Sequence, residues 1–169
     1  MSDRFNKRYY RSLREFWQDV SYPFHHRDKI REAMKGDLLS PAFRERLMLA
    51  VTAVTGCRYC VRFHTGEALK AGLSETEIRA LLDGSLNDAP AEELPALVYA
   101  QHWAEVEGNP DPDIRQTVQD AYGTELADTI EMVLRLIRTG NLLGNTIDYW
   151  KYRLSFGRWK ATETGSHQA

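Results

Sequence analysis

Hydrophobic residues recur along most of the chain at steps of three and four, the spacing of one face of an α-helix. The pattern first predicts an amphipathic helix over residues 5–20, with Phe5, Tyr9, Leu13 and Val20 among its apolar positions. The stretch 21–23 contains a proline and is expected to end this helix. A short polar helix is then predicted up to Gly36, because glycine commonly follows a helix end.

The middle of the chain carries clear helix boundaries. Ser40 and Pro41 predict a helix start, with serine as the cap and proline in the first helical position. The run 42–54 is apolar on nearly all sides and therefore predicts a buried helix. Gly56 predicts a break, after which a new helix begins near Cys57 and ends at Gly72.

Four further helices are predicted after Gly72. Ser74 and Glu77 form a capping box for a short helix that ends near residue 82. Helices over about 91–106 and 114–122 follow, and a long one begins near Thr124. Gly140 and Gly144 either interrupt this last helix or permit close packing of a neighbour. Its predicted apolar face comprises Leu126, Ile130, Val133, Ile137, Ile147, Trp150 and Leu154.

The absence of alternating strand patterns, repeats and a second domain predicts an all-α protein, a single-domain helical bundle. Residues 37–160 would form the bundle and residues 1–36 an appended N-terminal helical arm. The arm is expected to serve as an oligomer contact or as a lid over a pocket. Residues 161–169 are polar and are expected to form a disordered tail.

Composition narrows the class of protein. The chain has 169 residues, of which 27% are charged, and a formal net charge of -2, which gives no general electrostatic basis for binding nucleic acid or an acidic membrane. No apolar run approaches the roughly 20 residues that span a bilayer, and the N-terminus lacks an apolar signal core. We therefore expect a cytoplasmic protein without nucleic-acid or membrane partners.

The candidate chemistry lies in Cys57, Cys60 and His64, spaced CxxCxxxH. On a helix the three side chains share one face. A helix N-terminus lowers a thiol pKa, and a histidine one turn from Cys60 can accept its proton. A thiolate attacks a peroxide oxygen and becomes a sulfenic acid. The sulfenic acid then condenses with a second thiol to form a disulfide. We assign the attack to Cys60, nearer His64, and the resolving step to Cys57, which we expect to be the more exposed.

Glu45 is a candidate fourth member of the site. It lies on the preceding helix and shares a mostly apolar face with Met48, Leu49 and Thr52, so its carboxylate needs a partner. His64 is one such partner, because a carboxylate fixes an imidazole tautomer and raises its basicity. The alternative is a structural salt bridge to a nearby arginine.

Other interpretations of the motif are less favourable. Zinc needs about four ligands, and the chain has no second cysteine pair. A thioredoxin fold would require a βαβ context, and a c-type haem site would require histidine in the place of Val61. His25 and His26 lie in a polar segment and are interpreted as surface residues. The aromatic residues in 5–20 and 149–159 are expected to pack on the domain or on a neighbouring subunit.

The run from Ala50 to Cys60, together with Glu45 and His64, resembles the alkylhydroperoxidase D-like branch of the carboxymuconolactone decarboxylase family. The sequel His64-Thr65, with Ala68 and the run 71–74, is similar as well. The detailed resemblance covers about residues 40–82. A weaker one extends to residues 141–145, and residues 1–36 lie outside it.

The resemblance implies an all-α homo-oligomer, commonly a trimer or a hexamer, that reduces hydroperoxides without a cofactor. It implies Glu45, Cys57, Cys60 and His64 as the redox and proton-relay set, with a dithiol or a thioredoxin-like protein as the reductant. The motif departs from the best-known peroxidase member at Tyr59, where that protein has histidine. A redox-sensing oligomer and a general disulfide oxidoreductase are the alternative functions.

Overall fold

The structure is a computed structural model that describes residues 5–156 and 158. Within these residues the chain forms seven helices and no strand, which confirms the predicted all-α helical bundle. The predicted tail, 161–169, lies outside the described residues. The helices are α1 (Leu13–His25), α2 (Arg27–Lys35), α3 (Pro41–Thr55), α4 (Arg58–Lys70), α5 (Glu75–Leu82), α6 (Leu94–Glu105) and α7 (Pro112–Leu154).

Helix α3 is the centre of the bundle and packs against α4, α5, α6 and α7. Its apolar surface on all sides explains this position, and Leu47, Leu49 and Val51 have no exposed surface. The predicted start is confirmed, since Ser40 Oγ accepts the Phe43 N–H at 3.0 Å. The helix thus gives the site a rigid support on which neighbouring helices are arranged.

A left-handed residue separates α3 from α4. Gly56 has φ 67° and ψ 30°, a conformation that side chains other than glycine rarely adopt. The chain turns there, and α4 begins immediately afterwards with Cys57 as its N-cap residue. The predicted break is confirmed, and it places the CxxC motif at the start of a helix.

The prediction of a helix over residues 5–20 is wrong for its first part. Residues 5–12 are not helical but cross α7, where Tyr9 stacks on Tyr149 with ring centroids 4.0 Å apart. Helix α1 begins instead after Ser12, whose Oγ accepts the Glu15 N–H at 3.1 Å. It continues through Pro23, which lies in its last turn and does not end it as expected. We call residues 5–12 the N-terminal strap.

The long final helix matches the prediction in its first half and departs from it in its second. Gly123, with φ 77° and ψ 160°, separates the two predicted helical segments within α7. Neither Gly140 nor Gly144 interrupts the helix. The prediction of an apolar face is wrong from position 147 onward, because its residues there are exposed and do not face the core. They are Ile147, Trp150 and Leu154. Polar residues line the buried face there: Asn141, Asn145 and Asp148.

An ionic cluster joins α3 to the following helices. Arg46 lies 2.6 Å from a Glu77 carboxylate oxygen and 3.1 Å from one of Glu93. The predicted capping box is therefore half formed: Ser74 Oγ accepts the Glu77 N–H at 3.1 Å, while the Glu77 carboxylate binds Arg46. The largely buried guanidinium holds α5 and the start of α6 against the central helix.

Candidate redox site

The two thiols lie together at the N-terminus of α4. The Sγ atoms of Cys57 and Cys60 are 2.8 Å apart, and both cysteines are free. The Cys57 Sγ also accepts the backbone N–H of Cys60 at 3.4 Å, as an N-cap side chain does. A disulfide between the two sulfurs therefore needs little movement of the chain.

Cys57 is buried and Cys60 is the more accessible sulfur, so the expectation that Cys57 is the exposed one is wrong. Cys57 has no exposed surface, whereas Cys60 is partly exposed. The physical reason is α7: a Cβ on Gly144 would lie 2.6 Å from the Cys57 Sγ and 3.2 Å from Tyr59. Glycine at position 144 thus lets α7 cover the first cysteine completely.

The two thiols have opposite acidities. A hydrogen bond from Cys60 is the largest cause that lowers the pKa of Cys57 to about 7. Burial opposes this shift, and the backbone N–H groups of Cys60 and Tyr59 and the positive charge of Lys7 favour it. The pKa of Cys60 is raised, because it donates that hydrogen bond, is buried and faces the charge on Cys57. The pair therefore loses its first proton from Cys57, and it holds one proton at pH values above about 7.

His64 and Glu45 form the predicted pair across α3 and α4. The His64 Nδ1 lies 2.8 Å from the Glu45 Oε2, and both side chains are largely buried. Since an ionised carboxylate only accepts hydrogen bonds, a neutral His64 in this contact would carry its proton on Nδ1 and its lone pair on Nε2. His64 is one helical turn after Cys60. Of the two partners expected for Glu45, a histidine or an arginine, the structure shows the histidine.

An acidic residue on α7 completes the site, and the sequence reasoning missed it. Asp148 has no exposed surface; its Oδ1 lies 2.7 Å from the Arg58 Nη2 and accepts the Tyr59 hydroxyl at 2.9 Å. Lys151 donates to the same hydroxyl at 3.0 Å. These contacts fix Tyr59, the residue inside the CxxC motif, against α7. The sequence does carry a signal for this residue, because Asp148 is an acidic residue four positions after Gly144 and therefore lies on the same helix face.

Two buried asparagines bind α7 to the end of α3 beside the cysteines. Asn141 and Thr52 form a hydrogen bond through their side chains, with Nδ2 and Oγ1 3.3 Å apart. Asn145 Nδ2 donates to the carbonyl oxygens of Thr55 and Arg8, each at 2.9 Å. They lie in the region that the weaker resemblance covered. Their contacts hold the Thr55-Gly56 turn, and with it the start of α4, in place.

Within the described residues, no group of three or more His, Cys, Asp and Glu side chains is arranged to hold a metal ion. His25 is exposed, and His26 stacks on Tyr22 with ring centroids 3.9 Å apart.

Of the helices described, none has the length and hydropathy that a membrane span requires.

Fold and site together define a helical bundle that carries a dithiol centre at a helix N-terminus. The model of the carboxymuconolactone decarboxylase family matches residues 24–106, a stretch that contains α2 to α6 and the CxxC motif. The match begins inside the range 1–36 that the sequence assigned to the arm, and it does not specify a branch of the family. Searches of curated proteins and of solved structures found no match.

Proposed function

We propose that this protein is a thiol-dependent peroxidase of the alkylhydroperoxidase D-like branch, which reduces hydroperoxides through Cys57 and Cys60. The observation that carries the proposal is the pair of free sulfurs 2.8 Å apart, with the His64–Glu45 pair one turn further along α4. The family match over residues 24–106 is consistent with such an activity. No cofactor is needed, because the two thiols supply both electrons.

The proposed reaction begins at Cys60, the partly exposed cysteine of the pair. Movement of the shared proton to Cys57 leaves a thiolate on Cys60, which attacks the hydroperoxide oxygen. The O–O bond breaks, and the alkoxide leaves as an alcohol after taking a proton that His64 relays from solvent through Nε2. Cys60 is then a sulfenic acid.

The second step forms the disulfide. Cys57 Sγ attacks Cys60 Sγ, and the Cys57 proton leaves with the hydroxyl group as water. A dithiol or a thioredoxin-like protein then reduces the disulfide and returns the chain to its starting state. We place this cycle in the cytoplasm, where reductants keep such a cysteine pair available.

The test is steady-state consumption of cumene hydroperoxide with dithiothreitol as the reductant. Cys60→Ser should abolish turnover, and full turnover by that variant would sink the assignment. His64→Gln and Glu45→Gln should each slow turnover by roughly 10²–10⁴-fold, the range for general acid–base catalysis, with helicity retained. His25→Gln, at an exposed histidine, is the matched control and should leave the rate unchanged.

A disulfide exchange function with a protein partner is the second candidate. The exposed aromatic residues Tyr59 and Phe63, 38% and 62% exposed, lie on either side of Cys60 in the sequence of α4 and favour it. Such a protein would reduce the disulfides of insulin in the presence of dithiothreitol without consuming peroxide. The two activities are thus separated by their substrates in parallel assays.

We also propose that the protein is a homo-oligomer, a trimer or a hexamer. Support comes from an exposed apolar stripe on the second half of α7, with residues at steps of four, three and four. Exposed apolar groups in one stripe are typical of surfaces that a partner covers. The stripe, which we call the outer α7 face, comprises Leu143, Ile147, Trp150 and Leu154.

A further inference from the structure

The N-terminal strap lies outside the stretch that matches the family model, yet it is tied to the redox site. Asn145 donates to the Arg8 carbonyl oxygen at 2.9 Å, and Thr146 Oγ1 accepts the Tyr10 N–H at 3.1 Å. Because Asn145 also holds the Thr55 carbonyl oxygen, one side chain connects the strap to the turn that precedes Cys57. The strap therefore has a fixed position relative to the thiols.

Lys7 is the strap residue at that turn. Its Cε lies 3.9 Å from the position of a Cβ on Gly56, the residue directly before Cys57. Its ammonium nitrogen is buried. Since water screens a buried charge weakly, an ammonium group here acts on Cys57 more strongly than a surface lysine would. The positive charge of Lys7 accordingly contributes to the low pKa of Cys57, after the hydrogen bonds from Cys60 and Tyr59.

The other groups that face Cys57 supply little positive charge. From its own helix come the Cys60 thiol and the Tyr59 ring, and from α7 comes Gly144, which has no side chain. The nearest ions of α4 and α7 belong to the Arg58–Asp148 pair, whose charges oppose each other at 2.7 Å. His64, further along α4, is paired with Glu45. Lys151 of α7 donates to the Tyr59 hydroxyl at 3.0 Å, whereas Lys7 lies against the turn that directly precedes Cys57.

We propose that Lys7 is a positioning residue of the redox site, whose ammonium group stabilises negative charge on Cys57 when the disulfide opens. A role of Lys7 in turnover rests on the proposed function. Its effect on the charge of Cys57 concerns the two thiols alone and does not depend on that function. It also gives the strap a role: residues outside the family match complete the charge distribution of the site.

The step that uses this charge is reductive. A thiolate of the dithiol reductant attacks Cys60 Sγ, the Cys57–Cys60 bond breaks, and its electron pair leaves with Cys57 as a thiolate. The second thiol of the reductant then releases Cys60, which takes up a proton. A cation beside Cys57 makes it the better leaving group, because stabilising a thiolate lowers its pKa and speeds its departure.

The test measures the thiol pKa of Cys57 from the pH dependence of the thiolate's ultraviolet absorbance in a Cys60→Ser background, where Cys57 is the single cysteine. Lys7→Met keeps much of the apolar stem and removes the charge, and should raise the pKa by about one unit. At a pH below the pKa, the fraction of Cys57 that is thiolate should then be about tenfold smaller. Lys7→Arg should retain the low pKa. Lys70→Met, which removes an exposed charge from the far end of α4, is the matched control.

A shift in Lys7→Met that is no larger than in Lys70→Met would overturn the proposal, and so would an equal shift in Lys7→Arg. With both cysteines present, reduction of the disulfide by dithiothreitol should also slow three- to tenfold in Lys7→Met. Neither measurement uses peroxide. A protein without peroxide turnover but with the Lys7 effect would contradict the proposed function alone, and one with turnover but no Lys7 effect would contradict this inference alone.

Discussion

Cys57 and Cys60 are the same residue type three positions apart, and their surroundings make them different groups. The sequence predicted the helix start that acts on Cys57, because Gly56 is a local signal. It could not predict which sulfur is buried, since Gly144 on a distant helix covers Cys57. The His64–Glu45 pair could be anticipated, because an acid on an apolar helix face requires a partner.

The unequal acidities predict how stability depends on pH in the reduced protein. Folding lowers the pKa of Cys57 from 9.0 to about 7, so between pH 7 and 9 the unfolded chain binds more protons than the folded one. Stability should therefore rise with pH over this window, by about 1–2 kcal/mol. Above pH 9 it should fall, because the pKa of Cys60 is raised on folding and the unfolded thiols ionise first.

The measurement is urea unfolding at a series of pH values in a phosphine reductant. The Cys57→Ser, Cys60→Ser double variant supplies the baseline, and the difference in the free energy of unfolding isolates the two thiols. A difference that is flat from pH 6 to 10 would contradict the account of a shared proton.

At the scale of the helices, the sequence predicted elements that have local boundary signals. Ser40, Gly56 and Ser74 mark their boundaries as expected. The prediction fails at residues 5–12 because aromatic residues at helical spacing need not share a helix: the strap is not helical, and it packs Phe5 and Tyr9 on Tyr149 of α7. Ser12, followed three residues later by Glu15, is the local signal for the helix start that the structure shows.

The packing of α7 on α4 gives a direct prediction for two glycines of the same helix. Gly144→Ala places a methyl group 2.6 Å from the Cys57 Sγ, so it should destabilise the fold by about 1–3 kcal/mol and disturb the thiol pair. Gly140→Ala meets nothing within 4 Å and should be neutral or stabilising by up to about 1 kcal/mol through helix propensity.

Thermal and urea unfolding compare the two alanine variants, and the alkylation rate of the cysteines reports on the thiols. Equal stabilities for the two variants would mean that α7 does not approach Cys57 as closely as described. The Gly140 variant controls for the general effect of alanine in a helix, which the two positions share.

For the whole molecule, the sequence predicted a single all-α bundle, since residues at helical spacing with no strand pattern leave few other architectures. The sequence did not predict which face of α7 is buried beyond position 140. There the polar residues Asn141, Asn145 and Asp148 are buried, and the apolar residues of the outer α7 face are exposed. Helical spacing alone does not say which of two faces is buried when neither is wholly polar. The buried polar face lies beside the end of α3 and the thiols, and the outer α7 face is exposed.

The outer α7 face predicts the state of assembly. The native chain should have a solution mass that is three or six times 19.5 kDa by light scattering. Trp150→Glu, at a residue 58% exposed in the isolated chain, should dissociate the oligomer because it places a charge in an apolar contact. Val98→Glu, at a similarly exposed apolar residue on α6, is the control and should leave the mass unchanged. A monomeric native chain would refute the proposed assembly.

The central claim is that Cys57 and Cys60 together reduce a hydroperoxide, and a single-turnover experiment tests it most directly. Fully reduced protein is mixed with excess cumene hydroperoxide and no reductant, and peroxide loss and intact mass are followed together. The account predicts that one equivalent of peroxide is consumed per chain as a Cys57–Cys60 disulfide forms, with the loss of two hydrogens. Disulfide formation without a matching loss of peroxide, or neither change, would contradict it.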